Sequence, residues 1–199
     1  MKSLLIQVIY GGKERILLEM HLDFSILNLL NLASYHSVRR YTKHRRFERG
    51  HLMKSDTAIE SFSLGFNCAQ AVFSTYCDDL GLEKEMAKRI ACGFGAGMGY
   101  IGETCGAVTG ALMLIGLKYG KVDVEDNASK DKTYELVQEF TKRFKAINSS
   151  VKCKDLLGFD LSIPEDLDSV KEKQLFSILC PKFVRDSSEI IEELLEVSE

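Results

Sequence analysis

The chain has 199 residues, of which 45% are hydrophobic and 28% charged, with a formal net charge of −3 and a pI of about 5.9. That composition can bury one core, and it excludes a wholly disordered chain and a globally basic nucleic-acid binder. The most apolar stretch, residues 22–33, is interrupted by polar side chains and is too short to cross a bilayer, so no membrane insertion is expected.

The totals hide a partition. Residues 1–52 carry nine Lys/Arg against four Asp/Glu, a local net of +5, and residues 53–199 carry the other 17 and 25, a net of −8. All four histidines precede residue 53 and all six cysteines follow it. The basic run at 39–49 suits an arm that touches nucleic acid or acidic lipid. No secretory signal is expected, because Lys13, Glu14 and Arg15 interrupt any apolar region and no small-residue cleavage site follows. Another reading takes precedence. Met53-Lys54-Ser55-Asp56 looks like an ordinary protein start, and Glu48-Arg49-Gly50 can be encoded by a purine-rich run at ribosome-binding distance. Residues 1–52 are therefore expected to be an N-terminal extension outside the native protein, and 53–199 a four-cysteine helical redox domain.

From residue 53 the apolar spacing is helical. Phe62, Phe66, Ala69, Phe73 and Tyr76 share one side of a helix. Leu82, Met86 and Ile90, with Ala87, Ala91 and Phe94, do the same for a second. Residues 106–119 are apolar nearly all round and predict a central buried helix. Val137, Phe140, Phe144 and Ile147 mark a fourth helix, and Leu175, Phe176 and Leu179 another. Phe183, Val184, Ile190, Ile191, Leu194 and Leu195 mark the last. No alternating strand of useful length appears. The expected fold is all-α, a compact multi-helix bundle around a Gly-rich buried helix.

Nine of the fifteen glycines lie between Gly93 and Gly120. Gly102, Gly106 and Gly110, four apart, would give a smooth face for close helix packing, inside the monomer or across a homodimer. Residues 93–103 are expected to form a loop in which glycine allows positive φ. Gly97-Met-Gly99-Tyr-Ile-Gly102 fits G-x-G-x-x-G, but that fingerprint needs a strand before it and a helix after it. Here an amphipathic helix precedes it, so no nucleotide is expected.

Cysteines without a signal peptide point to a reducing compartment, here the cytoplasm, and to redox or metal chemistry rather than stapling disulfides. Cys77 and Cys92 read as small core residues near helix ends. The other four fall at expected helix starts. Asn67 can cap a helix that Cys68 begins, with Gln70 as its capping-box partner, although one unbroken helix over 62–76 is also compatible with the spacing. Thr104 can cap a helix begun by Cys105. Ser150 can cap a turn with Cys153 at its third position, closed by Gly158. Pro181 suits a first helical position, which would make Cys180 a cap. A helix N-terminus carries about half a positive charge, and such sites bring thiol pKa values from about 8.5 to roughly 3.5–7.5. Lys152, Lys154 and Lys182 flank two of the four. Cys105 is the expected reactive thiolate, and Glu103 is either a proton relay or an exposed loop acid.

No C-x-x-C occurs, which excludes haem c attachment and argues against thioredoxin-type and zinc-knuckle motifs. The lack of histidine after residue 53 removes a Cys–His pair. What remains is a site gathered in three dimensions: thiol pairs cycling with disulfides, or a four-cysteine cage for iron–sulfur or zinc.

The ordered segments Gly65-Phe-Asn-Cys68-Ala-Gln-Ala-Val72, Gly93-Phe-Gly-Ala-Gly-Met-Gly99, Cys105-Gly-Ala-Val-Thr-Gly110, Cys153-Lys-Asp-Leu-Leu-Gly158 and Cys180 resemble the C_GCAxxG_C_C family, whose redox role is inferred from its cysteines. The likeness covers about residues 55–196. It implies that Cys68, Cys105, Cys153 and Cys180 are the functional set, as redox residues or as metal ligands, and that Cys77 and Cys92 are not. It also implies an iron–sulfur cluster as the cofactor to look for. Gly99, Gly102 and Gly106, beside Cys105, are the expected cofactor-lining positions. The reading is a cytoplasmic redox-active protein using four cysteines for thiol/disulfide exchange or for electron transfer to a partner protein of unknown identity. The rival is a non-catalytic binding protein with a structural zinc site. Whether a substrate is turned over stays open.

Overall fold

The computed structural model describes residues 53–196. The basic run and the boundary before Met53 lie outside the described residues. Within them the chain forms eight α-helices and no strand. They are α1 Lys54–Ser63, α2 Cys68–Tyr76, α3 Lys84–Ala91, α4 Gly106–Tyr119, α5 Asn127–Asn148, α6 Cys153–Leu157, α7 Pro164–Glu172 and α8 Leu175–Glu196. The all-α expectation holds.

Of the two readings of 62–76, the structure takes the broken one. Gly65, with φ +104°, turns the chain out of α1. Asn67 then caps α2 in a full capping box, accepting from the Gln70 N–H at 3.0 Å while Gln70 accepts from the Asn67 N–H at 3.1 Å. The Asn67 amide also donates to the Cys92 carbonyl at 2.9 Å, tying the start of α2 to the end of α3. Asn67→Ala loses the cap and this tie together. It is expected to cost about 1–2 kcal/mol, seen as a lower urea midpoint at unchanged slope.

Helix α4 is the axis of the fold, with Ala107, Val108, Ala111, Leu114 and Ile115 at most 1% exposed. It lies against α2, and glycine sets the distance. A Cβ on Gly110 would sit 2.8 Å from the Ala69 carbonyl oxygen, and one on Gly106 would sit 3.0 Å from the Ala69 nitrogen. The small-residue face is thus used inside the chain. Gly102 is not on it, because it precedes the helix at φ +78° beside Lys154 and Asp160. Helix α8 covers α1, α2, α4 and α5. Arg185 pairs with Asp56 of α1 at 3.1 Å, and the Tyr76 hydroxyl of α2 donates to Glu192 at 3.0 Å. Phe140 and Phe144 of α5 stack in the core with centroids 6.1 Å apart.

Three expectations are corrected. On α3, Ala87 and Ala91 are fully buried while Met86 and Ile90 are 48% and 46% exposed: the close approach selects the small face over the large one. Ile147 of α5 is likewise exposed. Pro181 begins no helix, since α8 runs through it from Leu175, and the two segments read there are one. Helix α7 escaped the periodicity reading, although Pro164 at its start and Glu165 and Asp166 in its first turn are ordinary start signals.

Candidate functional site

Four cysteines meet at the starts of α2, α4 and α6 and in the second turn of α8. Cys68 is the first residue of α2. Cys105 is the N-cap of α4, not the residue after a Thr104 cap. Cys153 is the first residue of α6, preceded by Lys152 with no side-chain cap, so the expected third position is corrected. Ser150 instead accepts from the Lys152 N–H at 3.0 Å, and Gly158 closes the turn in the left-handed conformation as expected. Cys180 sits inside α8 and is no cap.

The chain around Cys105 and Cys153 is fastened by backbone bonds. The Cys105 N–H donates to Val151 at 2.8 Å, the Cys153 N–H to Glu103 at 2.6 Å and the Lys154 N–H to Gly102 at 3.0 Å. This short antiparallel contact holds two cysteines, 48 positions apart in sequence, side by side. A left-handed turn presses on it from the other side. Ala96, Gly97, Met98, Gly99 and Tyr100 have φ of 51°, 67°, 70°, 69° and 69°. The loop expected at 93–103 is therefore a turn of left-handed helix, a conformation costing about 1–2 kcal/mol at each non-glycine residue. Glycine alternates with Ala96, Met98 and Tyr100, which halves that cost. Gly97 carries the tightest packing, for a Cβ there would meet the Cys153 Cβ at 2.6 Å.

All four sulfurs line one cavity of about 10 Å³, walled by Ala96, Gly106, Leu156, Leu157, Phe176 and Phe183. That is room for about one water. Cys68, Cys105, Cys153 and Cys180 are 6%, 2%, 5% and 3% exposed, and all are free thiols. Gly106 lines the cavity, whereas Gly99 and Gly102 do not. Cys77 is also buried, but its thiol is turned to the Ser74 carbonyl at 3.5 Å, and Cys92 is exposed. Neither lines the cavity.

The electrostatics correct the thiolate expectation. A hydrogen bond donated to the Cys180 sulfur holds the Cys68 thiol well above the ordinary range, and burial and the other sulfurs add to it. Burial pushes Cys105 from 9.0 up to about 12. The Ala107 and Val108 amides at the start of α4 pull it down, but burial wins. Burial, then Cys105 and Cys180, raise Cys153. The lysines expected to help are engaged elsewhere. Lys152 and Lys154 pair with Glu103 at 3.4 and 3.5 Å, Lys154 also with Asp160 at 3.8 Å, and Lys182 with Asp186 at 2.6 Å. Glu103 is thus a partly exposed ion-pair acid at the rim.

The family model described as "Putative redox-active protein (C_GCAxxG_C_C)" matches residues 66–194. The chain belongs to this C_GCAxxG_C_C family. No curated protein and no solved structure matches it. A cluster or a zinc ion would take the four cysteines as thiolates. A cluster does not fit the side chains as arranged, for the cavity is water-sized. Among the described residues, no three His, Cys, Asp or Glu side chains are disposed to hold one ion. No described helix is long and apolar enough to cross a membrane.

Proposed function

We propose that this C_GCAxxG_C_C protein is a cytoplasmic thiol–disulfide reductant in which Cys68 and Cys180 form the working pair. One observation carries the reading: Cys68 and Cys180, from helices 112 positions apart in sequence, both line one water-sized cavity, and Cys180 is the largest influence on the Cys68 thiol. A pair facing a space that small needs little movement to bond.

The cycle balances without a cofactor. Cys68, the more exposed of the two, loses its proton and attacks one sulfur of a partner's disulfide. The partner's S–S bond breaks, and its leaving sulfur takes up a proton. Cys180 then attacks the mixed disulfide, forming Cys68–Cys180 and releasing the partner's second thiol. Two electrons pass to the partner, and two thiols here become one disulfide. The direction follows from the surroundings. A strong oxidant owes its power to a stabilised reduced form. Here Cys68, Cys105 and Cys153 are all held protonated, so no such stabilisation of their thiolates supports the reduced state. Cys105 and Cys153 complete the dry wall of the cavity, and they are the second pair that could take over electrons from the first.

The test is equilibration of the full chain in redox buffers of an uncharged couple, 2-mercaptoethanol and its disulfide, under anaerobic conditions, followed by alkylation and peptide mapping. Two thiols should disappear together as a Cys68–Cys180 cross-link. Cys68→Ser and Cys180→Ser should abolish it, and Cys77→Ser and Cys92→Ser should leave it intact. Four unchanged thiols would overturn the reading. Stoichiometric zinc, or iron with visible charge-transfer bands, in anaerobically purified protein would replace it with the cage.

A further inference from the structure

A groove of about 510 Å³ opens on the outer side of Cys68. It shares Cys68, Ala96 and Phe176 with the sulfur cavity, so this single layer is both its floor and the cavity's roof. Its size is that of a ligand site. Aromatic rings make its walls: Phe62 and Phe66 on one side, Phe176 and Tyr100 on the other, the latter two paired at 6.3 Å. The left-handed turn holds Tyr100 there, 48% exposed, at a positive φ that a tyrosine adopts only at a cost. Strain of this kind collects where a chain binds or reacts.

Two further features say what fits. No Asp, Glu, Lys or Arg lines the groove. Small charged disulfides such as that of glutathione, which carry several carboxylates, find no cation among the lining residues; Lys88 lies over the Phe66 ring, 3.9 Å from its centroid, but the net −8 of residues 53–199 repels them. The groove also offers a backbone acceptor. Pro181 lies inside α8 and has no N–H, so the Ser177 carbonyl lacks the partner a helix would supply four residues on. Ser177 and Pro181 both line the groove. That carbonyl, without the N–H of residue 181, is the acceptor assigned here to the N–H of an extended peptide whose side chains are apolar.

We infer that this groove receives an uncharged, aromatic-flanked cysteine segment of a partner protein and presents its disulfide to Cys68. The inference rests on the thiol–disulfide reading above and names its substrate class. Pro181 and Tyr100 are positioning residues in it: one leaves the acceptor free and the other forms the wall.

The experiment separates binding from exchange. Two labelled ten-residue peptides are titrated into the reduced full chain, both with serine in place of the reactive cysteine. One is flanked by Phe, Tyr and Gly, the other by Asp and Glu. The neutral peptide should bind at least about tenfold more tightly. Tyr100→Gly, which also relieves the backbone, should weaken it about tenfold. Pro181→Ala returns an N–H to the Ser177 carbonyl, and it should weaken binding while raising the thermal midpoint, a combination a merely structural proline would not give. With the disulfide form of the neutral peptide, both variants should raise KM. Equal binding of the two peptides, unchanged affinity in Pro181→Ala, or a Tyr100-dependent dimer in sedimentation would overturn the assignment. If the neutral peptide binds but no disulfide is exchanged, the redox reading fails and the groove stands. If glutathione disulfide is reduced but neither peptide binds, the groove fails and the redox reading stands.

Discussion

Gly97→Ala is expected to destabilise the protein by about 2–5 kcal/mol, from overpacking at about 1–3 kcal/mol plus left-handed strain at about 1–2 kcal/mol. The added Cβ would lie 2.6 Å from the Cys153 Cβ, 2.8 Å from the Gly102 carbonyl carbon and 2.9 Å from the Glu103 nitrogen. Two of the three are backbone and cannot rotate away. Nor can the segment retreat, because the Glu103 N–H is bonded to Gly97 at 3.1 Å and the Cys153 N–H to Glu103 at 2.6 Å. The only yielding neighbour is Cys153 itself, so the substitution strikes the sulfur cavity and the fold together. Gly99→Ala is the control. It has the same sign of φ, +69°, but its Cβ would meet nothing nearer than the Gly93 carbonyl oxygen at 3.8 Å. It should cost about 1–2 kcal/mol, the backbone strain alone. Urea unfolding measures both, and alkylation at subdenaturing urea should show Cys153 exposed in Gly97→Ala and protected in Gly99→Ala. A loss under about 1 kcal/mol for Gly97→Ala would mean that the turn has another way to pack.

What the sequence made legible was largely local. Asn67 and Gln70 announce the start of α2 because a capping box is written in four residues, and Gly158 announces the end of α6 for the same reason. The gathering of the four cysteines was read through a likeness of ordered motifs rather than from spacing, which left pairs, cage and core equally open. What stayed hidden depends on neighbours. Pro181 reads as a helix start in isolation, yet α8 runs through it, because the buried residues on both sides, Cys180, Phe183 and Val184, hold the helix against the core. Ala87 outranks Met86 on α3 because the opposing helix is close, a fact no periodicity carries. The left-handed turn is written only as alternating glycine, and alternation alone does not distinguish it from a flexible loop. The thiolate expectation failed by omission of a competing effect. The amides at the start of α4 do pull Cys105 down, but the desolvation of a buried thiolate outweighs them.

That failure has a kinetic consequence. Disulfide exchange and alkylation at this site are expected to rise by about a factor of ten per pH unit from pH 7 to pH 10, with no plateau, since only the thiolate reacts. A helix-terminus thiolate of depressed pKa would instead level off near neutrality, so the shape of the profile decides between the two physical pictures. The magnitude can be set for Cys105. Its rise from 9.0 to about 12 lowers the thiolate fraction at pH 7 by about a thousandfold. The thiolate that does form is the more nucleophilic for its higher pKa, with a sensitivity of about 0.4–0.5, and the net deficit against an ordinary thiol is about 30- to 60-fold. Stability moves the opposite way. The folded state holds the Cys105 proton more firmly than the unfolded chain does, so the contribution is full below about pH 9 and drains as pH climbs toward 12. Stopped-flow alkylation and urea midpoints across this range, in a Cys77→Ser/Cys92→Ser background, measure both on the same protein. Reactivity that climbs while stability falls is the signature of the protonated, sealed thiols of Cys68, Cys105 and Cys153. A flat rate from pH 7 upward would overturn this picture in favour of a thiolate of depressed pKa.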